Sequence, residues 1–88
     1  MGRKSVLITG CSEGGIGDAL AQEFHRKGLR VFATARNGTK IEHLKKLGLE
    51  TLHLDVVDET SIKQAVASVR DLTGGTLDIL VNNSGYGM

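Results

Sequence analysis

The chain has 88 residues, 40% of them hydrophobic and 24% charged, and its formal net charge is +1 from 11 basic and 10 acidic residues. This length suits one small domain, and this composition is typical of ordinary globular proteins, not of disordered or membrane-spanning ones. Because the opposite charges are mixed along the chain, we expect no nucleic-acid surface and no anionic-membrane surface.

Apolar runs alternate with helical periodicities from one end of the chain to the other, which is typical of βαβ units and a parallel sheet. The runs predict strands over residues 5–9, 29–35, 50–54 and 77–81. Between the strands, apolar residues recur at intervals of three and four and predict three helices with buried stripes. The stripes consist of Ile16, Ala19, Leu20 and Phe24, then of Ile41, Leu44 and Leu47, and finally of Ile62, Ala65, Val66 and Val69.

The cysteine and the histidines limit the chemistry that this chain can perform. A single cysteine, Cys11, excludes an internal disulfide and suits a reducing compartment, so we expect a cytoplasmic protein. The apolar run at residues 6–8 is too short for a signal peptide or a membrane-spanning helix. The three histidines are too scattered to form a metal site, and we expect His25 and His43 on helix surfaces.

A glycine-rich stretch, VLITGCSEGGIG, joins the first predicted strand to the first helix. Its glycines lie where the N–H groups of a first helical turn can approach a dinucleotide pyrophosphate. The strict G-x-G-x-x-G spacing is absent because residue 12 is serine, and a glycine-rich turn without a ligand is the alternative. Cys11 is expected to be a small loop residue and not a nucleophile, and Ser12 to bind a phosphate or to cap the turn.

The segment TGCSEGGIG resembles the Thr-Gly-x-x-x-Gly-x-Gly loop of the short-chain dehydrogenase/reductase family, with one extra residue, most simply Gly14. Three later stretches resemble the same family in the expected order, so the resemblance spans essentially the whole chain. It implies a dinucleotide cofactor held by this loop. The loop residues that it implies as cofactor contacts are Gly10, Ser12, Gly15, Ile16 and Gly17.

The end of the second predicted strand, ATARN, bears on the choice of cofactor. NAD-preferring members of the family place an aspartate where Ala35 stands, and NADP-preferring members often have arginine where Arg36 stands. Because an arginine pairs with a phosphate in a fixed bidentate geometry, Arg36 predicts NADP(H), with Asn37 and Lys40 as weaker helpers. The alternative is that Arg36 is a solvated surface cation.

Two further segments that resemble family motifs, LDV and NNSG, come at the ends of the third and fourth predicted strands. Asp55 resembles the family's aspartate near the adenine ring, and its alternative is a simple turn carboxylate. By the same resemblance, Asn82 would brace the central sheet and line the cofactor ribose, and Gly85 would let the backbone pass close to the cofactor. Ser84 stands where the family usually has alanine, and it is not expected to be a catalytic serine.

The resemblance implies an α/β, Rossmann-like three-layer α/β/α fold with a parallel sheet in the order 3-2-1-4. Residues 1–88 would form only the N-terminal half of this domain, truncated after the fourth strand. In the family, the tyrosine of a Tyr-x-x-x-Lys pair protonates the developing alkoxide, and this chain has no such pair because Tyr86 is its one tyrosine. We therefore name no catalytic residue and no metal ligand, and expect the 88 residues alone to be inactive.

Among family members, the chain most resembles the fungal NADPH-dependent 1-acyldihydroxyacetone-phosphate reductase group, on TGCSEGGIG, VFATARN and GGTLDILVNNSG. This resemblance implies an oxidoreductase that reduces a ketone of lipid or secondary-metabolite type to an alcohol, with the small-molecule substrate bound only in a longer form. Peripheral association with lipid droplets or the endoplasmic reticulum is implied by the resemblance alone. The alternative is a non-catalytic nucleotide-binding or interaction module, or a truncated remnant.

Overall fold

The computed structural model describes residues 4–55 and 57–83. Strands and helices alternate along these residues, which confirms the predicted βαβ organisation. The elements are β1 (Ser5–Ile8), α1 (Ile16–Arg26), β2 (Arg30–Ala35), a 3₁₀ turn (Gly38–Ile41), α2 (Glu42–Lys46), β3 (Glu50–His53), α3 (Glu59–Thr73) and β4 (Ile79–Val81).

The strands form a parallel sheet in the order β3-β2-β1-β4. Val6 of β1 pairs with Val31 of β2 on one side and with Ile79 of β4 on the other. The predicted order 3-2-1-4 is therefore confirmed. The chain moves outward from β1 to β3 and then returns to the other side of β1, so the direction of winding reverses there. Open α/β sheets bind ligands beyond the carboxyl ends of the strands at such a reversal.

One face of the sheet, which we call the α1/α2 face, is covered by α1 and α2. Ala21 of α1 and Leu44 of α2 are fully buried against it. Apolar residues of β1 and β2 alternate toward this face, as expected for strands that are buried on both sides. The buried cluster consists of Val6, Ile8, Cys11, Ala21, Val31, Ala33, Ala35, Ile41, Leu44 and Leu49.

The opposite face, which we call the α3 face, carries α3 and confirms the three-layer arrangement. The predicted stripe of α3 is buried only in part. Ala65 and Val69 are 4% and 3% exposed, whereas Ile62 and Val66 are 38% and 49% exposed. The expectation of burial is therefore wrong for Ile62 and Val66, because these two side chains line an open groove between α3 and β4.

Polar side chains set the ends of two elements. Asp58 caps α3 by accepting hydrogen bonds from the first backbone N–H groups of the helix. At the other end of the sheet, the Asp78 carboxylate accepts the N–H of Ser5 at 2.8 Å. This side-chain contact replaces a backbone pair, so β4 begins at Ile79, later than the predicted residue 77.

The expectation of burial is also wrong for Ile16 and Ala19 of the first predicted stripe and for Leu47 of the second, which are exposed. Ile16 and Ala19 lie in the first turn of α1 and Leu47 directly follows α2, so these side chains lie at helix ends. Within residues 4–55 and 57–83, no helix is both long and apolar enough to cross a membrane.

Candidate functional site

The candidate site is built around residues 9–17, which we call the glycine loop, at the carboxyl end of β1. Two backbone hydrogen bonds tie this loop to the neighbouring strand and turn. The N–H of Cys11 donates to the carbonyl of Thr34 in β2 at 2.8 Å, and the N–H of Glu13 donates to the carbonyl of Lys40 at 2.9 Å. The loop therefore lies beside the segment that follows β2, where an adenosine ribose is expected in this type of fold.

Gly17 allows the start of the glycine loop and the start of α1 to touch. A Cβ atom at Gly17 would overlap the carbonyl oxygen of Gly10 and would lie 2.8 Å from Asn83 Nδ2. Nothing larger than glycine fits without a shift of the backbone, because the overlap is with a main-chain atom. The geometry thus explains why glycine stands at the first helical turn.

The N-terminus of α1 differs from that of α3 in how its first N–H groups are satisfied. Gly15 is the N-cap residue of α1 and has no side chain that could accept them, whereas the Asp58 carboxylate accepts those of α3. Uncapped N–H groups and the helix dipole favour an anion at this position. The glycine cradle together with this helix start fits the pyrophosphate of a dinucleotide.

Asp18 lies in the first turn of α1 and is 7% exposed. Its Oδ2 accepts the N–H of Gly14 at 2.9 Å, and its Oδ1 lies 2.8 Å from both Gln22 Nε2 and His43 Nε2. Burial alone would raise the pKa of this carboxyl, but the three hydrogen bonds outweigh it and hold the pKa below its ordinary value. Asp18 is therefore ionised at neutral pH. His43 is half-buried on α2 and contacts Asp18 of α1, so the predicted surface position holds only in part.

The two asparagines after β4 contact the glycine loop. The Thr9 hydroxyl donates to Asn82 Oδ1 at 3.3 Å and accepts the N–H of Asn83 at 2.8 Å. Asn83 Nδ2 also donates to the carbonyl of Gly10 at 3.2 Å. The structure thus brings the predicted Asn82 to the carboxyl end of β1, and it adds Asn83 as a second tie between β4 and the loop.

Three other loop residues differ in exposure. Cys11 is fully buried, and burial raises the pKa of its thiol to about 11. A thiol in this state is not a nucleophile at neutral pH, in agreement with the sequence-based interpretation. Ser12 is exposed, and its carbonyl accepts the N–H of Gly15 at 3.0 Å in the tight turn before α1. Ile16 is 72% exposed and lies at the open rim of the site.

Arg36 directly follows β2 and is exposed, next to the buried Ala35. Within the described part of the chain, no carboxylate forms an ion pair with Arg36. Asn37 is engaged locally, because its side chain accepts the N–H of Thr39 at 3.1 Å and caps the 3₁₀ turn. The guanidinium therefore stands at the carboxyl edge of the sheet with its charge available to an anion.

Asp55 follows β3 and is half-buried, with Oδ1 accepting the N–H of Val57 at 3.1 Å. This is the geometry of a turn carboxylate, which was the alternative interpretation of this residue, and it leaves the predicted adenine contact as a prediction. The predicted contact at Gly85, like Ser84, lies outside the described residues. Among the described residues, no group of three or more His, Cys, Asp or Glu side chains is arranged to hold a metal ion.

Sequence reasoning missed Asp18, His43 and Asn83. A weak signal for Asp18 is its place directly after Gly-Ile-Gly, where an acidic residue in the first turn usually serves the helix dipole. The doubled asparagine is a signal for Asn83. No local pattern points to His43, because it lies 25 residues from its partner in the chain.

Comparison with known proteins agrees with this geometry. The family model of short chain dehydrogenases matches residues 4–88. A short-chain dehydrogenase of Penicillium crustosum is 57% identical over 88 residues, which cover 99% of this chain and 32% of that protein. The NADPH-dependent 1-acyldihydroxyacetone phosphate reductase of Schizosaccharomyces pombe is 55% identical over 82 residues, 93% of this chain and 28% of that protein.

A solved structure extends the comparison to three dimensions. The crystal structure of a short chain dehydrogenase from Mycobacterium smegmatis matches with a TM-score of 0.85 at 26% identity. The match covers 99% of this chain and 38% of that one. The chain thus spans about a third of the length of the curated relatives it matches.

Proposed function

The chain belongs to the short-chain dehydrogenase family, as its motifs predict, and from this premise we propose that it is the cofactor-binding portion of an NADPH-dependent oxidoreductase. The reaction proposed for the whole protein is reduction of a ketone of lipid or secondary-metabolite type to an alcohol. One observation supports the proposal most directly. A helix start without a side-chain cap, a glycine cradle and an arginine that forms no ion pair among the described residues meet at one edge of the sheet.

The glycine loop would hold the pyrophosphate. Because Gly17 has no Cβ, the backbone of Gly10 can lie against the first turn of α1 and both glycines can approach the pyrophosphate closely. Gly15 and Ile16 begin this helix, and its first N–H groups would face the anion. Ser12 is exposed on the same loop, and its hydroxyl would donate a hydrogen bond to a phosphate oxygen. These contacts would neutralise a doubly charged group in a chain whose own net charge is close to zero.

Arg36 would select the phosphorylated cofactor. Its guanidinium can pair with the adenosine 2′-phosphate in a bidentate geometry, and Ala35 leaves no acidic group to compete for the ribose. The NADPH dependence printed for the Schizosaccharomyces pombe relative is consistent with this assignment. Roles for Asp55 at the adenine, for Asn82 at the ribose and for Gly85 near the cofactor remain part of the proposal.

NADPH held by these residues would supply the hydride for the carbonyl carbon. The proton that the alkoxide then needs has no donor of the Tyr-x-x-x-Lys type in this chain. We therefore propose that the 88 residues form the N-terminal, cofactor-holding part of the Rossmann domain, and that alone they bind NADPH without turning over a carbonyl. We also propose that the protein is cytoplasmic.

Fluorescence titration of the 88-residue chain with NADPH and with NADH tests the binding proposal. We expect saturable NADPH binding that Arg36→Ala weakens at least about tenfold, since a charge-assisted bidentate pair is lost. Arg70→Ala is the matched control, because it removes an exposed guanidinium at the opposite end of the sheet. Equal affinity for the two cofactors, or unchanged NADPH affinity in Arg36→Ala, would contradict the proposed selectivity.

A second assay addresses chemistry. Carbonyl-dependent oxidation of NADPH should be undetectable with the 88-residue chain freed of contaminating reductases. Turnover that persists through purification would contradict the assignment of this chain to cofactor binding alone. Absence of any saturable NADPH binding would favour the alternative of a remnant or an interaction module.

A further inference from the structure

The Asp18 carboxylate joins three parts of the molecule that are separate in sequence. It accepts a hydrogen bond from the Gly14 N–H of the glycine loop and lies 2.8 Å from donors on Gln22 of α1 and on His43 of α2. An ionised carboxylate only accepts hydrogen bonds, so the Nε2 atom of His43 carries a proton in this contact. The carboxylate is therefore fixed from the α2 side as well as from its own helix.

By the family resemblance Gly14 is most simply the extra residue of the loop, and within the described residues it has few other contacts. It has φ +87°, it is exposed, and no atom of residues 4–55 and 57–83 lies within 4 Å of the position a Cβ would take. Its neighbours Glu13 and Gly15 are each fixed by a backbone hydrogen bond. For Gly14 itself, the hydrogen bond to Asp18 takes the place of packing.

We propose that Asp18 and His43 are positioning residues of the phosphate-binding site, which fix Gly14 so that the lengthened glycine loop is ordered before the cofactor arrives. This inference rests on the proposed function of the loop in binding NADPH. Asp18 acts through Gly14, and His43 acts through Asp18. A loop that is ordered in advance binds more tightly, because the cofactor does not have to supply the ordering free energy.

Substitutions at Asp18 separate the hydrogen bond from the charge. Asp18→Ala removes the acceptor of the Gly14 N–H and should weaken NADPH binding about tenfold, the cost of ordering one backbone residue. Asp18→Asn keeps an acceptor oxygen and removes a negative charge close to the pyrophosphate position, so NADPH affinity should stay within about twofold or improve. Rescue by asparagine is not expected if the carboxylate merely supports the helix dipole.

Substitutions at His43 test the second member of the pair. His43→Ala leaves Asp18 with one donor fewer and should weaken NADPH binding about threefold, since one hydrogen bond of modest net value is lost. His43→Gln supplies a side-chain N–H in place of Nε2 and should restore affinity to within about twofold. Glu50→Ala is the control: it removes a half-buried carboxylate paired with Arg30 at the far edge of the sheet and should leave the affinity unchanged.

A second ligand distinguishes loop positioning from a general loss of structure. Adenosine 2′-monophosphate has the group proposed to contact Arg36 but no pyrophosphate, so its affinity should change less than about twofold in Asp18→Ala. Circular dichroism verifies that each variant is folded at the titration temperature. Equal weakening of both ligands in a folded Asp18→Ala would overturn the inference in favour of a structural role.

Two further outcomes separate this inference from the proposed function. If the unsubstituted chain binds NADPH and Asp18→Ala binds it equally well, the positioning role is wrong and the proposed function stands. If the unsubstituted chain shows no saturable binding of either ligand, the proposed function fails and this inference fails with it. A loss of NADPH affinity in Asp18→Asn as large as in Asp18→Ala would also overturn the positioning role. The hydrogen bond to the Gly14 N–H, which asparagine can keep, would then not explain the effect.

Discussion

The two faces of the sheet are packed to very different extents. On the α1/α2 face, Leu44 and the inward residues of β1 and β2 are buried beneath two helices. On the α3 face, a groove of ≈ 610 Å³ lies between α3 and β4, and Leu80 at its edge is 64% exposed. Both faces belong to the same strands, so the difference comes from the helices.

Simple dimensions explain the contrast. Packed helices lie about 8–10 Å apart, and neighbouring strands about 4.8 Å apart, so one helix covers roughly two strands. Two helices suffice for the four strands of the α1/α2 face. On the other face, α3 covers the side of the sheet built by β2 and β3 and reaches Leu7 of β1, which leaves β4 open. The stability of the described fold should therefore reside mainly on the α1/α2 face.

The largest effect is expected from replacing a leucine on the α1/α2 face, and the same replacement on the α3 face provides the comparison. Leu44→Ala removes a fully buried side chain and should lower the free energy of unfolding by about 2–5 kcal/mol. Leu80→Ala, at a site that is 64% exposed, should cost less than about 1 kcal/mol. Urea unfolding followed by circular dichroism measures both. Equal costs would show that β4 is covered in solution and that the two faces do not differ as described.

The next effect uses Cys11, which is buried on the α1/α2 face, as a pH probe of that face. Burial raises the pKa of the Cys11 thiol from 9.0 to about 11, against the lowering effect of the Thr34 backbone hydrogen bond. Since the folded pKa exceeds the unfolded one, the stabilisation is complete below pH 9 and is lost as the pH rises through 11. The free energy of unfolding should therefore fall by about 2–3 kcal/mol over this range, since each pKa unit corresponds to about 1.4 kcal/mol.

Cys11→Ala isolates this contribution from other groups that titrate at alkaline pH. The difference in the free energy of unfolding between the unsubstituted chain and Cys11→Ala should be constant up to pH 9 and should shrink between pH 9 and 11. A difference that stays constant across this range would mean that the thiol ionises as in the unfolded chain, and the α1/α2 face would then be open to water near Cys11.

Much of the fold could be predicted from sequence because its determinants are local. The alternation of strands and helices follows from apolar periodicity, and the cap at Asp58 follows from residue type. The order 3-2-1-4 came from the family resemblance and is confirmed. The exposure of Ile62 and Val66 could not be predicted, because periodicity shows which side of a helix is apolar and not how much of that side a neighbour covers.

The candidate site divides in the same way. The glycine loop and Arg36 could be located from sequence, because the chemistry of each depends on a few adjacent residues. The contact between Asp18 and His43 depends on how α1 packs against α2, and no pattern within either helix contains that information. The choice between Asn82 and Asn83 as the tie to Gly10 depends on the direction in which the backbone leaves β4.

A smaller effect is expected at the capped helix of the α3 face. Asp58→Ala removes the acceptor for the N–H groups of Thr60 and Ser61 and should cost about 1 kcal/mol of unfolding free energy. Asp58→Asn keeps an acceptor oxygen and should cost less than half as much. Thermal unfolding of both variants provides the measurement. If Asp58→Ala were as costly as Leu44→Ala, α3 would contribute more to stability than its partial burial suggests.

The smallest effect is expected at Val66, which lies at the edge of the packed area on α3. Val66 and Val69 lie three residues apart on the same helix, and they are 49% and 3% exposed. Val66→Thr places a hydroxyl where water can reach it, so the free energy of unfolding should change by less than about 0.5 kcal/mol. Val69→Thr buries the same hydroxyl against Leu7 and should cost about 1–3 kcal/mol unless it finds an acceptor. Urea unfolding of the two variants should therefore give different midpoints. Similar midpoints would place the boundary of the packed α3 face elsewhere, because a threonine at either position would then meet the same surroundings.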